Sequence, residues 1–464
     1  MKKFTKAIAT AMAMSVLTAT LSGCGSKTTN GTTGNNDPNN SGTKKDPVEI
    51  VYTAWGDVNE KKATDAVIKK FQEKYTDIKV KPVIIPNGQY DTKITTMVAA
   101  NEQLDLSMLE SATIAYPLAE QGKLSNIKEI INNDKDVTLD TYIPVGYYHL
   151  DKDNIIGVGA GIEIFNLFYN KELIQKAGVE TPPTNINNAW DWDKFVEVAK
   201  KLTIDKNGKN ASDPDFDAKK IVQYGVSFGK WWGMWGNYVY SNGGDYITED
   251  GKFGLSSPEA AEAIQRLADL SNVHHVAPTP TAEKGLPGGD IALQTKKVAM
   301  LLEGQWMHLP IANSKVDFGV GVLPKMKEVK TQAVTGMYSI FKSSKNQEAA
   351  WKLLKYLNDP GVDLTLYNNG NLMPLQKDWL EKPELLDKWA TGPARPEGYR
   401  EAVIGMLLNA SVPTPTGTVK NFNKIMDVVN PALDKVWLGE QTAAEALKAA
   451  ETKAQPLVQG KRER

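Results

Sequence analysis

The sequence predicts an α/β fold, with helices packed on β-sheets. Three observations carry this: apolar residues alternate with period two from Val48 and then recur at helical spacing, cycle after cycle; a second region of the same kind follows Ile155; and the 464 residues, 41% hydrophobic and 23% charged, have an ordinary globular composition. At ~100–200 residues per domain, the length suggests two or three domains.

The elements follow in order. Val48, Ile50 and Tyr52 alternate as in a strand, and Val67, Phe71 and Tyr75 then lie on one helical stripe. Residues 78–85 read as a second strand, 90–101 as a helix and 104–109 as a third strand, and a further helix closes at Gly122. Repeated βαβ units call for a mainly parallel sheet covered by helices. In the second region Trp192, Phe195, Val196, Ala199 and Leu202 form one stripe, and Ser257-Pro258 reads as an N-cap and first helical residue ahead of Ile264, Leu267 and Ala268. Strands are expected at 297–302 and 317–323, and the chain from Ala349 onward is mostly helical in pattern.

The first residues read as an address. Lys2, Lys3 and Lys6 precede an apolar stretch from Ala7 to Leu21, which is shorter than the ~20 residues that span a bilayer. It ends in Leu21-Ser22-Gly23-Cys24, which resembles the bacterial lipobox. That resemblance implies removal of residues 1–23 and lipidation of Cys24, with residues 24–46 a flexible Gly/Ser/Thr/Asn tether. No later segment is apolar enough to span, so the body is expected outside the membrane, held by its lipid. One cysteine makes no internal disulfide, and 54 basic against 55 acidic residues without a basic track argue against nucleic acid.

In open α/β sheets ligands bind beyond the carboxyl ends of strands. Trp55, Gly56 and Asp57 follow the first strand, Glu110 the third, and Glu303, Gly304, Gln305 and Trp306 the strand expected to end at Leu302. Carboxylates beside indole faces suit a neutral polyhydroxylated ligand, a sugar above all. The run Trp231-Trp232-Gly233-Met234-Trp235, then Tyr238 and Tyr240, adds aromatics whose interspersed glycines argue against one regular core stripe. His274-His275 diverge as neighbours and lack a third ligand, and the acidic loop from Asp205 to Asp217 lacks the EF-hand pattern, so neither a metal nor a cofactor is expected.

Several segments carry a family resemblance. They are Phe71-Gln72-Glu73-Lys74-Tyr75 with Ile78-Lys79-Val80; Tyr169-Asn170-Lys171-Glu172-Leu173 with Ala177-Gly178-Val179 and Pro182-Pro183; and residues 190–203. Val298-Ala299-Met300, Gly304, Trp306, Asp317-Phe318-Gly319-Val320 and Leu323-Pro324 complete the set. In order and spacing the chain, over about residues 48–455, resembles the family 1 extracellular solute-binding proteins, maltose-binding-protein-like lipoproteins that feed carbohydrate ABC importers.

The resemblance implies a two-lobe, type II periplasmic-binding-protein-like fold with a hinge between lobes. One lobe would be 48–160 plus 325–372 and the other 161–324 plus 373–464, with the first crossing near Gly159-Ala160-Gly161. It further implies that Asp57 accepts sugar hydroxyls, that Glu163 is an acidic contact past the crossing, and that Trp306 stacks on the sugar. Glu110 falls in a binding loop, Tyr338 near another crossing, and Trp231, Trp232 and Trp235 in a region of aromatic contacts. The protein would then be a monomeric binder rather than an enzyme, with a permease as partner. Two alternatives remain at this stage: a lipid-anchored glycoside hydrolase, since paired carboxylates also build such sites, and a binder of a peptide, polyamine or metal. No hydrolase signature or serine nucleophile elbow is present.

Overall fold

Val48 to Trp55 form the first strand, β1, in the computed structural model, and its run from Ile50 to Ala54 is buried on both faces. A strand covered on both sides needs an unbroken apolar run rather than strict alternation, which Ile50-Val51-Tyr52-Thr53-Ala54 supplies. The structure describes residues 46–464 apart from 57, 369 and 371, and 46–464 form one unit with its own core. The expected leader, Cys24, the tether through residue 45 and Asp57 lie outside the described residues.

The remaining strands are β2 (Ile78–Ile85), β3 (Leu106–Leu109), β4 (Tyr147–Asp151), β5 (Asn154–Gly159), β6 (Phe165–Asn170) and β7 (Ile204–Asp205). They continue as β8 (Ile221–Phe228), β9 (Val298–Gly304), β10 (Phe318–Gly321), β11 (Thr331–Ala333), β12 (Met337–Ile340) and β13 (Ser411–Pro413). They build a six-stranded sheet ordered β2-β1-β3-β12-β5-β4, a five-stranded sheet ordered β10-β6-β9-β8-β7, and the pair β11-β13. The α/β class expected from the sequence is what forms.

The expectation of mainly parallel sheets is corrected. Strand β1 is parallel to β2 and β3, and β8 to β9, but the other pairings in both large sheets are antiparallel. Strands β4 and β5 form a tight hairpin around Lys152-Asp153, which forces reversal, and β12 enters the first sheet from the second rather than through a covering helix. Two ends also move. Leu104 and Asp105 precede β3, because the buried Asp105 carboxylate accepts from Val51 N at 2.8 Å, Gln103 Nε2 at 2.8 Å and Ser344 Oγ at 2.5 Å instead of extending the ladder. Glu303 and Gly304, expected just past a strand, complete β9.

Local chemistry places the helices. Asp191 caps Trp192–Leu202 by accepting from Lys194 N at 2.8 Å, and Ser257 caps Pro258–Asn272 by accepting from Ala260 N at 3.3 Å, with Pro258 in the first turn where its missing N–H costs nothing. Trp192, Phe195, Val196, Ala199 and Leu202 all turn inward.

The chain passes from the first sheet to the second between β5 and β6, and three segments run side by side there. Ala160 N donates to Gly336 O at 2.8 Å, and Glu163 and Val334 exchange backbone bonds at 2.9 Å each. Ile162 and Met373 do the same, also at 2.9 Å. The last residues tie back across the molecule. Arg462 lies 3.5 Å from the Tyr116 ring centroid and donates to Val419 O at 2.8 Å, Arg464 donates to the Pro144 and Tyr147 carbonyls at 3.0 Å, and Lys461 pairs with Asp245 at 2.6 Å. Among the described residues no helix is long and apolar enough to cross a membrane.

Candidate functional site

A cleft of about 780 Å³ opens where the two large sheets meet at the crossing segments. Its walls come from the ends of β1 and β3, from Trp306 in the turn after β9, from the start of the helix Trp232–Ser241 and from the crossings themselves. Trp55, Glu110, Glu163, Trp231, Trp232, Trp306 and Tyr338 of the sequence-derived candidates all line it.

The aromatic wall is built on Phe165. Its ring meets Trp306 edge-on at 5.4 Å and Trp231 at 5.8 Å, and those two indoles lie 6.3 Å apart. Trp232 abuts Trp231 at 5.1 Å, nearly perpendicular, and packs against Phe422 at 5.5 Å. Two glycines make this geometry possible. A Cβ on Gly304 would sit 2.1 Å from Trp306 Cη2, and one on Gly233 would sit 2.2 Å from Trp231 Cη2, so each indole folds back over a residue that must lack a side chain. The helix start is fixed from below. Gln332 Nε2 and Asn237 Nδ2 donate to Gly233 O at 2.9 and 2.7 Å, and Gln332 N donates to Asn237 Oδ1 at 2.7 Å. Opposite, Trp55 packs edge-on against Tyr90 at 5.4 Å, and Tyr52 meets Tyr338 at 6.2 Å.

The carboxyls are carried on backbone held by its own hydrogen bonds. Glu110 follows β3 in extended conformation, and its carbonyl accepts from Ile114 and Ala115 N as the chain turns into a π-helical segment, Ser111–Ala115. Such wide turns recur at functional sites. Burial, aided by the charge of Asp91, raises the Glu110 carboxyl to about 7. Glu163 is held on the first crossing by its backbone pair with Val334, and burial, aided by the charge of Glu60, raises it to about 8. Burial also raises Glu303, whose Oε1 accepts from Gly304 N at 2.9 Å. Desolvation disfavours the charged form, so these acids hold protons far more readily than exposed ones do.

Two candidates stand apart. Trp235 is 1% exposed and stacks on Tyr246 at 5.3 Å in the core, one helical turn beyond Trp232. Glu303 is not among the residues that wall the cleft. The sequence reading missed Tyr52, Glu60, Asn87, Thr335, Thr414 and Thr416, which do line it. Tyr52 and Glu60 flank the strand end already singled out and could have been found there, whereas nothing marks Thr414 and Thr416 in the sequence. Among the described residues no group of His, Cys, Asp and Glu could hold a metal ion.

Comparison with known proteins gives this arrangement its context. A substrate-binding protein of Listeria monocytogenes, solved in complex with cycloalternan, is 27% identical, with a TM-score of 0.74 and coverage of 89% of this chain and 99% of its own. A maltose-bound T. maritima protein is 22% identical, with a TM-score of 0.70 and coverage of 89% and 100%. The galactooligosaccharide-binding protein of Bacillus subtilis (strain 168) is 20% identical over 403 residues, 86% of this chain and 87% of its own length. Residues 55–363 match the family described as bacterial extracellular solute-binding protein. The match spans well over half of the sequence, and the chain belongs to that family of solute-binding proteins, not to the enzymes that build similar acidic clefts.

Proposed function

We propose that this protein captures a mono- or oligosaccharide in the cleft and delivers it to the permease of an ABC importer, from the outer face of the membrane where the lipid on Cys24 holds it. The observation that carries the reading is that the wall of Trp231 and Trp306 on Phe165 and the acids Glu110 and Glu163 line one cleft. Indole faces cover the apolar C–H surface of a pyranose while carboxyls and backbone groups take its hydroxyls. The named ligands of the relatives, cycloalternan, maltose and galactooligosaccharide, are all saccharides and support it.

Capture works by closure. The lobes, 48–160 plus 325–372 and 161–324 plus 373–464, turn about the paired crossings, and ligand contacts made with both favour the closed form. No bond is broken.

The test is a thermal-shift screen of the unit 46–464 against mono- and oligosaccharides, polyamines and short peptides, followed by analysis of the glycan. A ligand bound only by the folded state raises the melting temperature. A shift with a saccharide recovered intact supports the reading; shifts confined to peptides or polyamines, or a cleaved glycan, overturn it. Anchoring has its own test: Cys24→Ala should shed the protein into the medium and abolish palmitate labelling, and labelling that persists removes Cys24 as the anchor.

A further inference from the structure

Residues 460–464 tie the two sides of the cleft together in addition to the crossing segments. On the side of the second sheet they are held by backbone: Lys420 N donates to Gly460 O at 3.0 Å and Arg462 N to Thr418 O at 2.7 Å, around an antiparallel bridge between Val419 and Lys461. Lys461 Nζ adds an ion pair to Asp245 Oδ2 at 2.6 Å. From that base two guanidiniums reach the side of the first sheet. The buried Arg462 lies 3.5 Å from the Tyr116 ring centroid and 3.4 Å from Glu120 Oε1, and Arg464 donates to Pro144 O and to Tyr147 O at the start of β4, both at 3.0 Å. Tyr116 is a fixed post for the first of these, since its hydroxyl donates to Gly417 O at 2.8 Å.

The base of this segment is paired through backbone and its tips are side chains, so the tips are what a rotation of one side against the other must break. A guanidinium taken out of water is held by the ring and carbonyls that replace its hydration, and it loses both together when the sides move apart. Arg464 also borders a recess with Tyr147, Tyr148, Ala333 and Thr414, and Thr414 is itself among the residues that line the cleft. The segment therefore stands one residue away from the ligand space, and neither arginine lines that space.

We propose that residues 460–464 act as a strap that sets the angle between the two sides, with Arg462 and Arg464 as its releasable tips. This step rests on the closure proposed above and not on the chemistry of the ligand. The strap favours one angle, and the share of molecules at the angle a ligand needs scales the affinity that is observed.

The experiment uses the unit 46–464, which lacks the chain's one cysteine, Cys24, and no ligand is added. Lys93→Cys on the first side and Lys176→Cys on the second, both at exposed positions, carry spin labels for double electron–electron resonance; Lys69→Cys with Lys93→Cys is the control pair within the first side. With Arg462→Gln and Arg464→Gln together, the distance distribution between the sides is expected to broaden or split, the ratio of arrangements moving by about fivefold or more, while the control distribution stays unchanged. Arg464→Gln alone, at an exposed side chain, serves if the double variant does not fold, and should broaden the distribution by less. An unchanged distribution between the sides in the folded variant overturns the strap and leaves the saccharide reading, which the thermal-shift screen tests, standing. A control distribution that broadens as much as the other would show that the arginines hold the first side's own fold, and overturns the strap as well.

Discussion

Glu163 does two things from one position: its backbone joins the crossing strands and its carboxyl faces the cleft. Because burial raises that carboxyl from 4.5 to about 8, the folded protein keeps a proton that the unfolded chain gives up. Its contribution to stability is therefore complete below pH 4.5 and is lost as pH rises through about 8. Glu163→Gln cannot titrate, so urea denaturation at pH 5 and pH 8.5 should show a smaller loss of stability for the variant than for the parent; equal losses would mean that Glu163 titrates as an exposed acid. At Trp306 the expected effect is on affinity: removal of the indole costs ~1.5–3 kcal/mol of contact, tenfold or more in binding, with the fold retained. Calorimetry of Trp306→Ala checks this, and unchanged affinity removes Trp306 from the site. The residues legible in the sequence were those with scarce chemistry just past a strand end. Trp55, Glu110 and Trp306 were found that way, whereas Thr335, Thr414 and Thr416 come to the cleft from segments whose place is set only by the crossings. Trp235 shows the limit of composition: the helix Trp232–Ser241 sends residues three apart to neighbouring but distinct places, Trp232 to the cleft and Trp235 to the core.

Among the elements, the end of β9 decides how the aromatic wall is presented. Gly304→Ala puts a methyl where the Trp306 ring lies, and the ring, being the free end of a side chain, gives way while the strand holds. Binding is expected to fall by about tenfold, the scale of one lost aromatic contact, with little change in melting temperature. A large drop in melting temperature with intact affinity would show instead that Gly304 serves the strand and not the wall. Element type was readable because periodicity reports burial directly: β2 spans the predicted 78–85, and the stripe from Trp192 to Leu202 lies on the helix Trp192–Leu202. Direction was not. Strand polarity in β12 and β6 follows from where the chain has been, so local pattern alone assigned parallel pairing to sheets that are mixed.

For the molecule as a whole, the paired crossings and the returning tail are what any rotation must accommodate. Saccharide binding should reduce the radius of gyration in small-angle scattering, and Trp306→Ala at the same saccharide concentration should not; identical curves with and without bound ligand would remove closure from the mechanism. The tail was unreadable in advance, since Lys461, Arg462 and Arg464 look like ordinary solvated charges. In place, Arg462 is 7% exposed, with its guanidinium on Tyr116 and its hydrogen bond to Val419 O. Arg462→Ala should lower stability by about 1–2 kcal/mol in chemical denaturation, the range of a desolvated cation on an aromatic face, and no loss would make the tail ornamental. The indole wall has one more consequence, and it concerns light. Trp231, Trp232 and Trp306 are close enough to share excited states, and all three border the space that a ligand would fill. A ring laid over them replaces water at their faces, so occupancy can be followed, without any dye, as a blue shift in emission and a change in near-ultraviolet dichroism. Trp235, sealed against Tyr246, supplies a steady background against which that change is read.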